Sequence, residues 1–135
     1  MKTIYLDDTS RLTPDELIGF FVGWPNPPSP RKHLEILQNS QKVWLAFDNN
    51  KCVGFINALT DSVFYAFIPL LEVLPSHKNQ GIGTMLVSKM VDSLKNMYAI
   101  DIICDESIVP FYESCDFKKG ISMMKRNYNK QSGGQ

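Results

Sequence analysis

A lysine, two glycines and a helix start crowd into Lys78-Asn79-Gln80-Gly81-Ile82-Gly83-Thr84, directly after the apolar run Leu71-Glu72-Val73-Leu74 and Pro75. Glycines one residue apart remove side chains where a backbone must turn or be approached closely. A helix beginning there aims its first unpaired N–H groups, and the positive end of its dipole, at one spot. Such a corner suits an anion, most often a phosphate. Just upstream, Glu72 lies between Leu71 and Val73. Strand alternation sends Leu71 and Val73 to one face and Glu72 to the other. A carboxylate between buried neighbours is uncommon, which marks Glu72 as a candidate general base. The competing reading is a structural carboxylate that accepts main-chain donors.

The elements around this corner can be read along the chain. Thr3 to Leu6 reads as a first strand. Thr13-Pro14-Asp15-Glu16 carries a helix start, with Thr13 as N-cap, Pro14 at the first helical position and Gly23 placed to stop it. The proline-rich Trp24-to-Pro30 connector is stiff and non-helical. Ser29 and Pro30 open a second helix with Leu34, Leu37 and Ile36 inward. Lys42 to Leu59 reads as a hairpin turning at Asp48-Asn49-Asn50-Lys51, where asparagine tolerates a left-handed backbone. A turn at Thr60-Asp61-Ser62 leads into a long strand from Val63 to Leu74. Pro69 predicts a bulge or unpaired edge within it.

After Gly83, apolar Leu86, Val87, Met90, Val91, Leu94 and Tyr98 recur at helical spacing. Ala99 to Cys104 reads as a strand, Ser107 to Phe117 as a short helix, and Gly120 to Tyr128 as a last strand. The expected fold is α/β: a mixed, mostly antiparallel sheet, one parallel right-handed β-α-β crossover, and helices on both faces. A single domain spans 1–128, and a tail at 129–135 should fray.

Bulk properties narrow the partners. The 135 residues suit one domain, and 44 % hydrophobic with 21 % charged residues is ordinary for a globular chain. Fourteen basic residues balance fourteen acidic ones, which argues against a nucleic-acid binder. Three cysteines without C-x-x-C spacing and two unpaired histidines imply neither a disulfide framework nor a metal site. No signal peptide is visible, and no apolar run approaches the ~20 residues that span a bilayer. A cytoplasmic protein is expected.

Which anion the corner binds depends on the pattern around it. A Walker A loop places its lysine after the glycines and follows it with Ser or Thr; here Lys78 precedes them. A dinucleotide fingerprint needs a third glycine where this chain has Leu86. A third pattern is [Arg/Gln]-x-x-Gly-x-[Gly/Ala] after a strand ending in Val-x-Pro. With "LEVLPSHKNQGIGTMLV" for this motif and "VPFYESCDF" for a later Phe-Tyr element, the chain resembles the GNAT superfamily of acyl-CoA-dependent N-acyltransferases over roughly residues 1 to 128.

The resemblance implies that the amides of Asn79, Gln80, Gly81, Ile82, Gly83 and Thr84 bind the pyrophosphate of coenzyme A. Lys78 stands at the family's arginine or glutamine position, keeping the charge and losing the bidentate fork. Main-chain groups of Leu71, Glu72 and Val73 would pair with the pantetheine amides where the strand splays. Tyr112 matches the tyrosine that protonates the departing thiolate, while Asp116 replaces the motif's usual glycine. A thiol of pKa about 8.5 and a phenol near ~10 make that transfer uphill by roughly 2 kcal/mol. Asp105 stands where many relatives place an asparagine near the cofactor. Trp24 lies in the family's substrate-facing region, and Tyr65 and Phe67 are candidates for the same cleft.

The function implied is transfer of an acetyl group from acetyl-CoA, as co-substrate, to a primary amine in a ternary complex, without metal or covalent acyl-enzyme. The alternatives are a non-catalytic acyl-CoA-binding module and an acyltransferase using a hydroxyl or a longer acyl chain. The acceptor is a small-molecule or peptide amine, and exposed strand edges leave room for a homodimer.

Overall fold

The computed structural model describes residues 2–134. Five strands, β1 (Thr3–Leu6), β2 (Lys42–Asp48), β3 (Lys51–Thr60), β4 (Tyr65–Val73) and β5 (Ala99–Ile102), lie side by side in sequence order. The first three pairings are antiparallel and β4 with β5 is parallel, giving the expected mixed sheet. Its helices are α1 (Pro30–Gln38), α2 (Ile82–Ser93) and α3 (Val109–Glu113).

Each hairpin is fixed by turn chemistry. Asn49 takes φ 58 between β2 and β3. Between β3 and β4, Asp61 Oδ1 accepts the N–H groups of Val63, Phe64 and Tyr65 at 2.8, 2.8 and 3.2 Å. Strand alternation divides the core between the two faces of β3. Toward one face, a side chain at Gly54 would meet Leu86 and Ile82 of α2. Trp44 Nε1 donates to Ser93 Oγ of the same helix at 2.9 Å. On the other face, Phe55 packs against Phe20, Phe21 and His33. Helices therefore cover both faces.

Several elements depart from the sequence reading. The first helix is only a 3-10 turn, Pro14–Leu17. Its capping is as expected, with Thr13 N–H donating to Glu16 Oε1 at 2.8 Å. It stops early because Ile18 is already extended and Gly19 takes φ 102, so Gly19, not Gly23, breaks it. Tyr98 leaves the apolar stripe: α2 ends at Ser93, and Tyr98 is 80 % exposed, its N–H donating to Phe64 O. β5 stops at Ile102, short of Cys104.

The last expected strand, Gly120 to Tyr128, is not formed. Those residues are exposed and unpaired with the sheet, and Tyr128–Lys130 is a 3-10 turn. Beyond it, Gln131 Oε1 accepts the N–H of Asn26 at 2.9 Å, so the segment read as a frayed tail touches the loop before α1. Gln135, the end of that tail, lies outside the described residues, as does Met1.

Candidate active site

Three elements meet where β4 ends. β4 pairs with β5 only from Tyr65 to Ile68; the next residue is Pro69, which cannot donate to a ladder. The β3–β4 register also shifts here, between Asn57 and Leu59. Asn57 Oδ1 accepts the Leu70 N–H at 3.1 Å, and Val53 O accepts the Leu74 N–H at 2.8 Å, so both amides point toward β3. Alternation then turns the main-chain groups of Leu71 and Val73 to the side where β4 no longer has a paired neighbour. The main chain of Glu72 faces β3 instead.

The glycine corner follows a 3-10 turn, Pro75–His77. Asn79 takes φ 62 and Gly81 takes φ 82, two left-handed positions two residues apart. Backbones of this kind line concavities with successive amides. Gly81 is the N-cap of α2, supplies no side-chain cap, and opens onto free space. The first intrahelical bond runs from Met85 N–H to Gly81 O, 3.0 Å. The amides of Ile82, Gly83 and Thr84 thus have no acceptor within the helix. Lys78 and Thr84 are exposed beside them.

Gly83 couples this corner to α3. A Cβ there would stand 3.5 Å from the Phe111 ring and 3.9 Å from Val73, so strand end, helix start and α3 pack on one point. That packing carries Tyr112 with it. Its ring is held edge-on by Phe111 and Phe117. Burial, with the nearby Cys104 and Cys115 thiols adding to it, pushes the Tyr112 hydroxyl up to about 12. It stays protonated across the physiological range and keeps a proton to donate.

Glu72 faces away from α2, as alternation requires. Its Oε1 accepts the Phe21 N–H at 2.7 Å and its Oε2 the Val22 N–H at 3.2 Å. Phe21 takes φ 63, a strained value for a bulky residue, and these bonds hold it there. The carboxylate fixes the Phe21–Trp24 loop and keeps lone pairs for further donors. Phe67 sits opposite Leu59 and Glu72 opposite Phe55, so both side chains share this sheet face.

The candidate acceptor residues fall into two groups. Tyr65, Phe67 and Tyr112 line one groove of about 970 Å³ beside β5. Tyr65 Oη donates to Asp101 Oδ2 at 2.9 Å. Trp24 stands apart from that groove, edge-on to Phe21 at 4.9 Å and 39 % exposed. Asp105 is exposed and precedes the 3-10 turn Glu106–Ile108, its carbonyl accepting the Ile108 N–H.

Two histidines have positioning roles that spacing alone did not reveal. His77 Nε2 meets Asp48 Oδ2 at 2.8 Å and its Nδ1 meets Ser76 Oγ at 2.7 Å, pinning the glycine corner to the β2–β3 turn. His33 is buried among Phe20, Phe21 and Phe55, and neither ring nitrogen finds a partner among the described residues. Burial drives its pKa down to about 4, so it is neutral. Cys52 is buried too, its thiol pushed up to about 12 and unreactive as a nucleophile. Among the described residues, no group of three metal-ligating side chains comes together, and no helix is long and apolar enough to cross a membrane.

Comparisons with known proteins agree with this arrangement. Residues 9–117 match the model of the acetyltransferase (GNAT) family. A Deinococcus radiodurans crystal structure, described as a candidate acetyltransferase, superposes with a TM-score of 0.95 at 37 % identity, covering 97 % of this chain and 92 % of that one. A GNAT-family acetyltransferase of Streptococcus pneumoniae gives 0.75 at 25 % identity, covering 93 % and 100 %. GCN5-related N-acetyltransferase 3, chloroplastic, of Arabidopsis thaliana is 36 % identical over 85 residues, 62 % of this chain and 35 % of the plant protein. An uncharacterized N-acetyltransferase of Gracilaria tenuistipitata is 28 % identical over 101 residues, 71 % of this chain and 56 % of its own length. The chain therefore spans between about a third and about half of these two relatives. A matched motif, a matched fold and a glycine corner joined to Phe111–Tyr112 lead to one statement: the chain belongs to the GNAT acetyltransferase family.

Proposed function

We propose that this protein is an acetyl-CoA-dependent N-acetyltransferase acting on a primary amine by direct attack in a ternary complex. The observation that carries the reading is the junction itself. Free main-chain groups of Leu71 and Val73 lead into uncapped amides at Gly81–Thr84, with Tyr112 packed beside them through Phe111. A strand edge suits amide-bearing chains such as pantetheine, and a left-handed, side-chain-free corner suits a diphosphate. Bound acetyl-CoA would supply the activated thioester.

The chain's residues have distinct tasks in this reading. Asn79 to Thr84 offer main-chain donors to the diphosphate, with Lys78 adding charge from the rim. Leu71 and Val73 align the thioester arm. Tyr112 gives its proton to the sulfur as the carbon–sulfur bond breaks. With its pKa raised, that transfer is uphill by more than the roughly 2 kcal/mol of an unperturbed phenol, so it is concerted with bond cleavage. Glu72 orders the loop bearing Trp24 and, through its remaining lone pairs, takes a proton from the acceptor's ammonium so that the neutral amine can attack. Tyr65, Phe67 and Trp24 bound the acceptor side, and Asp105 lies at the cofactor's rim.

A thiol-release assay over amine classes, with acetyl-CoA as donor, tests this directly. Release of coenzyme A that depends on one amine class is expected. Tight acetyl-CoA binding without release for any amine would favour the non-catalytic module. Release with hydroxyl acceptors alone would reassign the nucleophile, and release only with longer acyl donors would reassign the group transferred.

A further inference from the structure

His33 is a buried polar side chain to which the proposed reaction gives no task. It stands in the first turn of α1, where its main-chain N–H donates to Ser29 O at 2.8 Å, and it is 1 % exposed. Neither ring nitrogen has a partner among the described residues. Buried polar groups nearly always find one, so two orphaned nitrogens on a single ring ask for a hydrogen-bonding occupant.

A pocket of about 330 Å³ lies against that ring, lined by Phe20, Phe21, Pro27, Pro28 and Pro30 as well as His33. Ser29 lines it too, but its Oγ is engaged, accepting the Lys32 N–H at 3.1 Å. Among the described residues, no Asp, Glu, Lys or Arg lines it, so it has nothing for a polyamine chain or a phosphate. The imidazole is neutral, so one nitrogen donates and the other accepts. A hydroxyl does both and pairs with either. The pocket also leads to Glu72. Phe21 gives its N–H to Glu72 Oε1 at 2.7 Å. Phe55, its ring centroid 4.3 Å from that of His33, stands opposite Glu72 across the β3–β4 pairing.

We propose that this pocket seats the body of the acceptor: a primary amine on a short apolar or aromatic frame that ends in a hydroxyl, the hydroxyl on His33 and the amine at Glu72. This rests on the acetyl-transfer reading, in which Glu72 takes a proton from that amine. Phe20, Phe21 and the prolines enclose the frame, and His33 selects its far end. Solvent does not reach the two nitrogens, so the occupant turns the Phe20 or Phe21 ring aside; Phe21, at φ 63, is already strained. His33 is thus a specificity-determining residue, with proton transfer left to Glu72 and Tyr112.

Matched probes test it: tyramine, phenethylamine, which is the same frame without the hydroxyl, and spermidine. Calorimetry with coenzyme A present reads binding, and thiol release from acetyl-CoA reads turnover. Tyramine should bind about tenfold more tightly than phenethylamine, the worth of one neutral hydrogen bond, and spermidine most weakly. His33→Leu and His33→Phe should each close the gap by weakening tyramine. Equal binding of the two aryl amines by the wild type would leave the nitrogens to water alone and overturn the proposal, as would a gap that survives both substitutions. The two readings fail separately. Discrimination at His33 without thiol release for any amine would keep the pocket and overturn acetyl transfer. Thiol release with equal kcat/KM for tyramine and phenethylamine would keep acetyl transfer and overturn the pocket.

Discussion

Tyr112 and Glu72 are the two side chains from which the proposed reaction asks most, and their surroundings differ. Tyr112 is packed among Phe111 and Phe117 and held protonated by burial. Tyr112→Phe removes only a hydroxyl, so turnover should fall well beyond tenfold while the affinity for acetyl-CoA stays nearly intact; steady-state kinetics beside calorimetry would show the split. Glu72→Gln acts differently. An amide presents one acceptor oxygen where the loop offers two N–H donors, so the Phe21–Val22 loop should loosen as the proposed base is removed. A rise in the amine KM together with a fall in kcat is the expected pattern. A drop in kcat alone would confine Glu72 to proton transfer. What was legible in the sequence is placement: alternation put Glu72 on the face away from α2, and the Phe-Tyr motif put Tyr112 in the short helix after β5. The two amides that bind Glu72 were not, because nothing in local sequence says which distant loop a carboxylate will meet.

At the level of elements, the register break at Pro69 and the corner at Gly81 could be read because proline and glycine act through the backbone of their own position. The short first helix could not. Its capping signals were sound, but Gly19 and the pull of Glu72 on Phe21 override apolar periodicity. The final strand was misplaced for a related reason: strand propensity describes a segment, while pairing depends on which edge is offered. Gly83 gives an element-scale test. An alanine fits, since its Cβ would make ordinary contact with Phe111 and Val73. Valine adds branches that press on both, at a cost of about 1–3 kcal/mol, and pushes α3 away from β4. Denaturant midpoints should therefore rank glycine and alanine together and valine clearly lower, with turnover of the valine variant reduced as Tyr112 moves. Equal midpoints for all three would show that α3 does not rest on this position.

For the whole molecule, the aromatic cluster on the α1 face ties stability to pH. His33 has a folded-state pKa of about 4, below the ordinary histidine value near ~6.5, so the unfolded chain binds the extra proton first. Stability from this group is complete above the unfolded value and is lost as pH falls from about 6.5 toward 4, by on the order of 3 kcal/mol. His33→Leu keeps an apolar side chain in the cluster and should flatten that slope in urea titrations across the same window. A slope unchanged by the substitution would place the acid sensitivity elsewhere. The sheet, its helices on both faces and the junction at β4 together frame one claim: bared main-chain amides at Gly81–Thr84 grip a diphosphate. Titration calorimetry of acetyl-CoA and free coenzyme A into wild type and Gly81→Val measures it most directly, because a branched side chain at φ 82 is strained and fills the corner. Saturable heat with both ligands in the wild type, gone in a variant that remains folded, is the expected result. Absence of heat from the folded wild type, or undiminished binding by the valine variant, would contradict it.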